Sequence, residues 1–522
     1  MRIYHILKVS LLYTLPFWTL ARVSVVQGQS KLPAYEFDVD LTKVENDQLR
    51  VVLKVPAIKQ KEVIYYLPQI VPGIYSKLDF GQFVSNFRAE TVQGRQLKHE
   101  KVGKNGWKIH NARQLYRLSY TVDDGYETHK DLGNKPYQSA ASSFVKDELF
   151  VINHNCLFGY FDGMTKLPVR LTFVKPLGFF GATSLLAIKK QPTKDVFLAA
   201  DYRSLIDAPL MYSQPDTTVI KVANTKITVA VHSHTGNKYS AGIAQHLKSL
   251  LKAQKDYLGG TLPVNHYSFI ISHGIGKPGS ITGDALEHSY SSFYLFAASN
   301  DELDPIASLV RKIASHEFFH IVTPLNIHSE EIANYDFNQP KMSQHLWLYE
   351  GMTEYATLHM PVKQKLQGVA EFLQNVRQKI VNSRKFNNRL SFTQMSKNIL
   401  NLSNQYYNVY LKGALIGLCL DIRLRELSNG KYGTQHLLQD LSAKYGKHKP
   451  FKDKELIAEI AKMTFPEIRH FFTDYVINAK ALPLKEYLLK VGISYDAKDD
   501  HFRPVKNITD QQKRLRKAWL GR

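Results

Sequence analysis

The chain has 522 residues, more than one hydrophobic core can serve, since single cores stop growing at roughly 250 to 300 residues, so two or three domains are expected. Its 44% hydrophobic, 22% charged and 11% aromatic residues exclude a disordered or fibrous chain. Lys and Arg outnumber Asp and Glu by 68 to 46, but the positive charges are scattered rather than gathered into a stripe, so no nucleic-acid partner is expected.

Residues 1–28 have the layout of a secretory signal. Arg2 and Lys8 make a basic start, Val9 to Ala21 is an apolar run of 13 residues, and small residues near Gly28 offer a cleavage point. A bilayer span needs about 20 apolar residues, so the expectation is an exported protein, periplasmic or secreted, with no transmembrane anchor after cleavage; an uncleaved anchor is the alternative. Cleavage would remove Arg2, Lys8 and Arg22 and no acid, so the formal charge would fall from +22 to +19. Cys156 and Cys419 alone make no disulfide framework, and Cys419 sits in an apolar run as a buried thiol.

Residues 29–225 read as an all-β, sandwich-like domain. Tyr35 to Leu41, Leu49 to Val55, Val63 to Val71 and Tyr116 to Val122 alternate as strands, with Pro72 and Gly73 among the breaks. Residues 226–362 then read as α/β. Ile243, Leu247, Leu250, Leu251 and Leu258 share one helical face, and Tyr267 to Ser272 is a strand. Residues 363–495 are mainly helical, with loops before Tyr406 and around Gly446 to Pro450, and 496–522 form a basic tail whose densest charge run, Lys513 to Lys517, is expected to be solvated.

The chemistry concentrates in the HEFFH run. Asp304 is a fitting N-cap with Pro305 at the first helical position, Pro324 stops the run, and Ile306, Leu309, Val310 and Ile313 form a buried stripe. His316 and His320 prolong that stripe, so both imidazoles face inward, four residues apart, a spacing that lets both reach one ion; the motif alone leaves ordinary helix histidines as the alternative. Glu317, between them, is placed to act as general base. A hydrolytic zinc site takes three protein ligands and leaves a fourth position to water. Thr323 and Asn326 stand where a three-histidine extension would need Gly and His. A better candidate for the third ligand is Glu350 in HLWLYEGMTEY, on what reads as the next helix; the alternative is a solvated helix carboxylate, but Leu346, Trp347 and Leu348 argue for burial and a buried carboxylate wants a cation. Glu354, one turn on, is placed to accept the free N–H of a ligating histidine, or else is exposed. His328 reads as a non-ligand. One zinc per chain is expected.

HEFFH, LWLYEGMTEY, VYLKGAL (Val409 to Leu415) and ALEHSYS (Ala285 to Ser291), with VPGIYSKLDF (Val71 to Phe80) in the β domain and PLKEYLLKVGISY (Pro483 to Tyr495), together resemble the glycyl aminopeptidase family of metallopeptidases, family sixty-one. That family lies within the gluzincin group. The resemblance implies a thermolysin-like catalytic domain over residues 226–362 and peptide substrates cleaved at their N-termini. It implies that Tyr410 stabilises the oxyanion and that Glu287 binds the substrate's free amino group; Tyr406 and Tyr407 are alternatives to Tyr410 if the helix starts earlier. Two departures stand out. Many relatives carry a PDZ domain after the catalytic region, whereas about 27 residues follow Tyr495 here, so that domain is expected to be absent. Asp284 and Ala285 replace the usual Gly-Gly, and Ile321 to Ile332 lacks the typical Trp and Arg, so the resemblance does not fix glycine as the preferred residue. An endopeptidase on the same scaffold, or a surface binding protein with an inactive zinc site, are the rival readings.

Overall fold

The computed structural model describes residues 33–126, 138–274, 283–296 and 302–521. The expected signal segment lies outside them. No helix among the described residues is long and apolar enough to cross a membrane.

The N-terminal region, expected to be all-β and sandwich-like, is built from three sheets around one core. Strand Tyr35–Asp40 lies inside a seven-stranded sheet, parallel to Val169–Val174 and antiparallel to Gln48–Lys54. Its alternation sends Tyr35, Phe37 and Val39 into the core. A four-stranded sheet containing Glu62–Tyr66 packs on that face: the Tyr65 and Tyr120 hydroxyls lie 2.9 Å apart, and Phe87 stacks on Trp107. The third sheet reaches the same core through Tyr212, beside Phe173.

The strand expected over Val63 to Val71 ends at Tyr66. Pro68 cannot donate to a ladder, and the Gln69 and Ile70 N–H groups instead bond the carbonyl of Phe337, at 2.9 and 3.1 Å. The following segment keeps Val71, Ile74 and Leu78 in the β core and turns Tyr75 outward to Glu350.

A five-stranded sheet follows, in the order Thr217–Val222, Thr225–Ser233, His266–His273, Ser291–Phe296, Gly283–His288. Its three central strands are parallel, and helix Ser240–Tyr257 makes the crossover between the first two of them. The hairpin Thr217–Val222/Thr225–Ser233 straddles the boundary expected at 225; alternation marks a strand but not the sheet it joins. The edge strand Gly283–His288 is antiparallel and buries Leu286 in the β-domain core, while Glu287 takes the other face.

One hydrophobic core runs from Val222 to Leu520, so the middle region and the helices that follow are packed together. The basic tail is not a solvated one. Residues Asp510–Leu520 form a capped helix that buries Leu515, Trp519 and Leu520, leaving Lys513, Arg514 and Lys517 on its outer face. Trp519 donates to the Tyr355 hydroxyl at 2.9 Å, and its carbonyl meets His359. Charge density concealed an amphipathic stripe.

Candidate metal centre

The motif helix spans Leu303–Glu317 and starts two residues earlier than the Pro305 rule suggested, with Glu302 rather than Asp304 before its first turn. Pro305 is harmless there, because the first four N–H groups of a helix have no partner within it. Ile306, Val310 and Ala314 are buried, while Leu309 and Ile313 pack at the margin. After Glu317 the backbone tightens into a single narrower turn, Phe318–Ile321. His320 therefore sits just past the α-helix, yet its ring centroid remains 4.9 Å from that of His316.

Glu350 is buried, 2% exposed. It lies in a wide π-type turn, Trp347–Gly351, leading into helix Met352–Lys363, and a short helical turn, Glu330–Ala333, intervenes after the motif. Position comes from two glycines. A Cβ on Gly351 would stand 2.7 Å from the Gly413 Cα, and one on Gly413 would stand 2.6 Å from the Gly351 Cα. Only this bare backbone contact lets helix Tyr406–Leu427 lie close enough to bring Tyr410 beside Glu350.

Three donors converge. The Nε2 atoms of His316 and His320 are 3.5 and 3.6 Å from Glu350 Oε2, and all three ligand atoms lie within 4.8 Å of one another. Tetrahedral ligands at zinc distances stand about 3.4 Å apart. Glu350 Oε2 is a buried oxygen with no hydrogen-bond partner among the described residues, which is costly unless a cation takes it. The other atoms of the ligands are fixed. His316 Nδ1 meets Glu354 Oε2 at 2.7 Å, His320 Nδ1 meets the Thr323 carbonyl at 2.9 Å, and the Tyr75 hydroxyl donates to Glu350 Oε1 at 2.8 Å. With both Nδ1 atoms donating, each Nε2 presents its lone pair inward.

The electrostatics also ask for a cation. Burial, joined by Glu287, Glu350 and Asp284 and opposed by His316, pushes the Glu317 carboxyl up to about 8. Burial and Glu350 raise Glu287 as well, against His320. Burial opposes ionisation of Glu350, but His320 and His316 more than offset it and hold that carboxyl low. Glu354, despite burial, is held at about 2 by His316 and Lys379. A dication among these carboxylates would relieve their repulsion.

Every residue singled out from sequence lines this site except His328, which is buried elsewhere with its Nδ1 on the Asn326 carbonyl. Glu287 is on the edge strand, with a carboxylate oxygen grouped with Glu317 and His320. Gly73, at φ +86°, lets the Pro72 turn press against it: a Cβ there would stand 2.7 Å from Glu287 Oε1. Tyr406 opens the tyrosine helix and its hydroxyl is 2.7 Å from that of Tyr410, four residues on the same face, whereas Tyr407 is 67% exposed. Burial, with Glu350 next, raises Tyr410 well above the ordinary phenol range, so it stays an O–H donor. Sequence reasoning gave no role to Tyr75, Lys379 or the Gly351–Gly413 contact, and read Gly73 only as a strand break. The VPGIYSKLDF segment was the available signal for Tyr75, since it pairs a turn with an aromatic.

These side chains border a cavity of about 640 Å³. Residues 36–214 match the model of the Peptidase M61 N-terminal domain, and residues 310–416 match that of M61 glycyl aminopeptidase. Among solved structures, the chain is similar to an aminopeptidase N family protein from Idiomarina loihiensis, at 21% identity and a TM-score of 0.75, covering 88% of this chain and 78% of that one. It is also similar to an M1 zinc metallopeptidase from Deinococcus radiodurans, at 12% identity and a TM-score of 0.53, covering 87% and 95%. A mutant of an M1 zinc metallopeptidase from that organism, bound to a Tyr-Ser-Ala substrate, gives 13% and 0.53, covering 86% and 94%. At such identities the likeness is one of fold. No curated protein matches.

Proposed function

The chain belongs to the M61 glycyl aminopeptidase family of metallopeptidases, and from that premise we propose that it removes N-terminal residues from peptides with one zinc held by His316, His320 and Glu350. The observation that carries this reading is the buried Glu350 Oε2, without a hydrogen-bond partner among the described residues, facing two oriented Nε2 atoms. We read residues 226–362 as the thermolysin-like domain, between a β domain over 29–225 and a helical domain over 363–495, in an exported protein.

Zinc, when bound, supplies a Lewis acid for the scissile carbonyl and acidifies a water. Glu317 takes the proton of the attacking water and passes it to the leaving amine. Tyr410 donates its O–H to the oxygen that gains negative charge, with Tyr406 fixing its direction. Glu287 pairs with the substrate ammonium, which places the N-terminus at the edge strand. Glu354 orients His316 and Tyr75 orients Glu350.

One peptide offered in free and N-acetylated forms tests the exopeptidase assignment. Acetylation is expected to abolish cleavage, because it removes the charge that Glu287 recognises. Equal cleavage of both forms would establish an endopeptidase instead.

A further inference from the structure

The cavity at the ligands adjoins a second groove of about 640 Å³. The two share Lys312, Glu354, Thr357, Lys379 and Leu411. Their charge differs. The first is lined by Asp284, Glu287, Glu317 and Glu350, whereas the second has Arg311 beside Lys312 on the motif helix. Glu354 is already engaged by His316 and Lys379, and the other acid of the groove, Glu371, is exposed on the facing helix Val369–Ser383. Among the described residues neither Arg311 nor Lys312 has a carboxylate partner.

Chain order along the motif helix gives the groove a direction. Glu287 is grouped with Glu317 and His320, His316 lies one turn back toward the helix N-terminus, and Lys312 one turn further. The interval from Lys312 to His320, five steps at about 1.5 Å and three at about 2.0 Å in the narrower turn, spans about 13 Å. An extended peptide covers that span in about three to four residues. A substrate with its ammonium at Glu287 and its scissile bond at the ligands therefore runs on toward Lys312 and Arg311.

We propose that Arg311 and Lys312 form a carboxylate-binding subsite for the leaving side of the substrate. The subsite selects peptides that carry an anion two or three residues beyond the scissile bond. This rests on the aminopeptidase reading and adds the substrate class to it. The anion has two sources, the free C-terminus of a short peptide or an Asp or Glu side chain in a longer one.

The test compares a tripeptide acid, its C-terminal amide, and pentapeptide amides with Glu or Gln at the third or fourth residue. KM is measured for the parent and for the Arg311→Gln/Lys312→Gln double variant. Binding of the same peptides to the zinc-loaded Glu317→Gln protein, with and without the double change, is followed by calorimetry. An anion should lower KM and Kd about tenfold in the parent, as a charge-assisted hydrogen bond does, and the ratio should fall to about one in the double variant. Loss on amidation alone assigns the C-terminus, and recovery with Glu assigns the side chain. Ratios near one in the parent would overturn the subsite while leaving the peptidase intact. If no peptide is cleaved, the aminopeptidase reading fails, and the calorimetric acid-to-amide ratio still decides the subsite.

Discussion

The two sides of the ligand cluster are held by different means. On the helical side, Glu350, Glu354 and Tyr410 stand on helices that share one core with the motif helix, locked by the Gly351–Gly413 contact. The β-domain side instead reaches across from a separate core: Tyr75 touches Glu350 from the turn after Ile70, Gly73 presses on Glu287, and Ser139 donates to Asp284 at 2.7 Å. Leu286 and Phe337 are lent to that second core in return. Under the proposed function, metal binding, proton transfer and the leaving side of the substrate fall to the helical side, and recognition of the substrate ammonium to the seam between the cores.

Substitutions can break or sharpen this contrast. Glu317→Gln removes the base without touching a ligand, so turnover should fall by about 100- to 10,000-fold at full zinc content. Near-parental turnover would end the mechanism. Tyr410→Phe keeps the ring and removes one oxyanion donor, which should cost about 100- to 1,000-fold in kcat with little change in KM. Tyr406→Phe should cost much less, because it only directs Tyr410, and Tyr407→Phe should be close to neutral. Reversed ranking in steady-state kinetics would move the donor role to Tyr406.

Metal affinity separates the two sides more finely. Glu354→Gln leaves His316 with a weaker partner and should loosen zinc by about 10- to 100-fold in a chelator competition. Tyr75→Phe removes only the O–H on Glu350 and should weaken zinc by about tenfold at most. Were Tyr75→Phe the more damaging of the two, the β domain would hold the metal and the division drawn above would be wrong.

Much of the helical side was legible in the sequence, and little of the seam was. HEFFH is legible because helix geometry converts a four-residue interval into a distance, and Glu350 because a carboxylate among Leu346, Trp347 and Leu348 cannot be buried without a partner. Tyr75 lies 275 residues from Glu350, and no local rule relates such positions. The Gly351–Gly413 contact was hidden for the same reason: each glycine reads as a weak point in its own helix and acquires meaning only against the other. The C-terminal helix was misread because Lys and Arg dominate its composition, while Leu515 and Trp519, four apart, decide its packing.

Zinc content tests the central claim most directly. Elemental analysis of the parent should give about one zinc per chain, and the His316→Ala/His320→Ala double variant should give essentially none while keeping its fold by circular dichroism. A parent that cleaves peptides after exhaustive chelation, or a double variant that retains the same zinc, would contradict the assignment of this cluster as the metal centre.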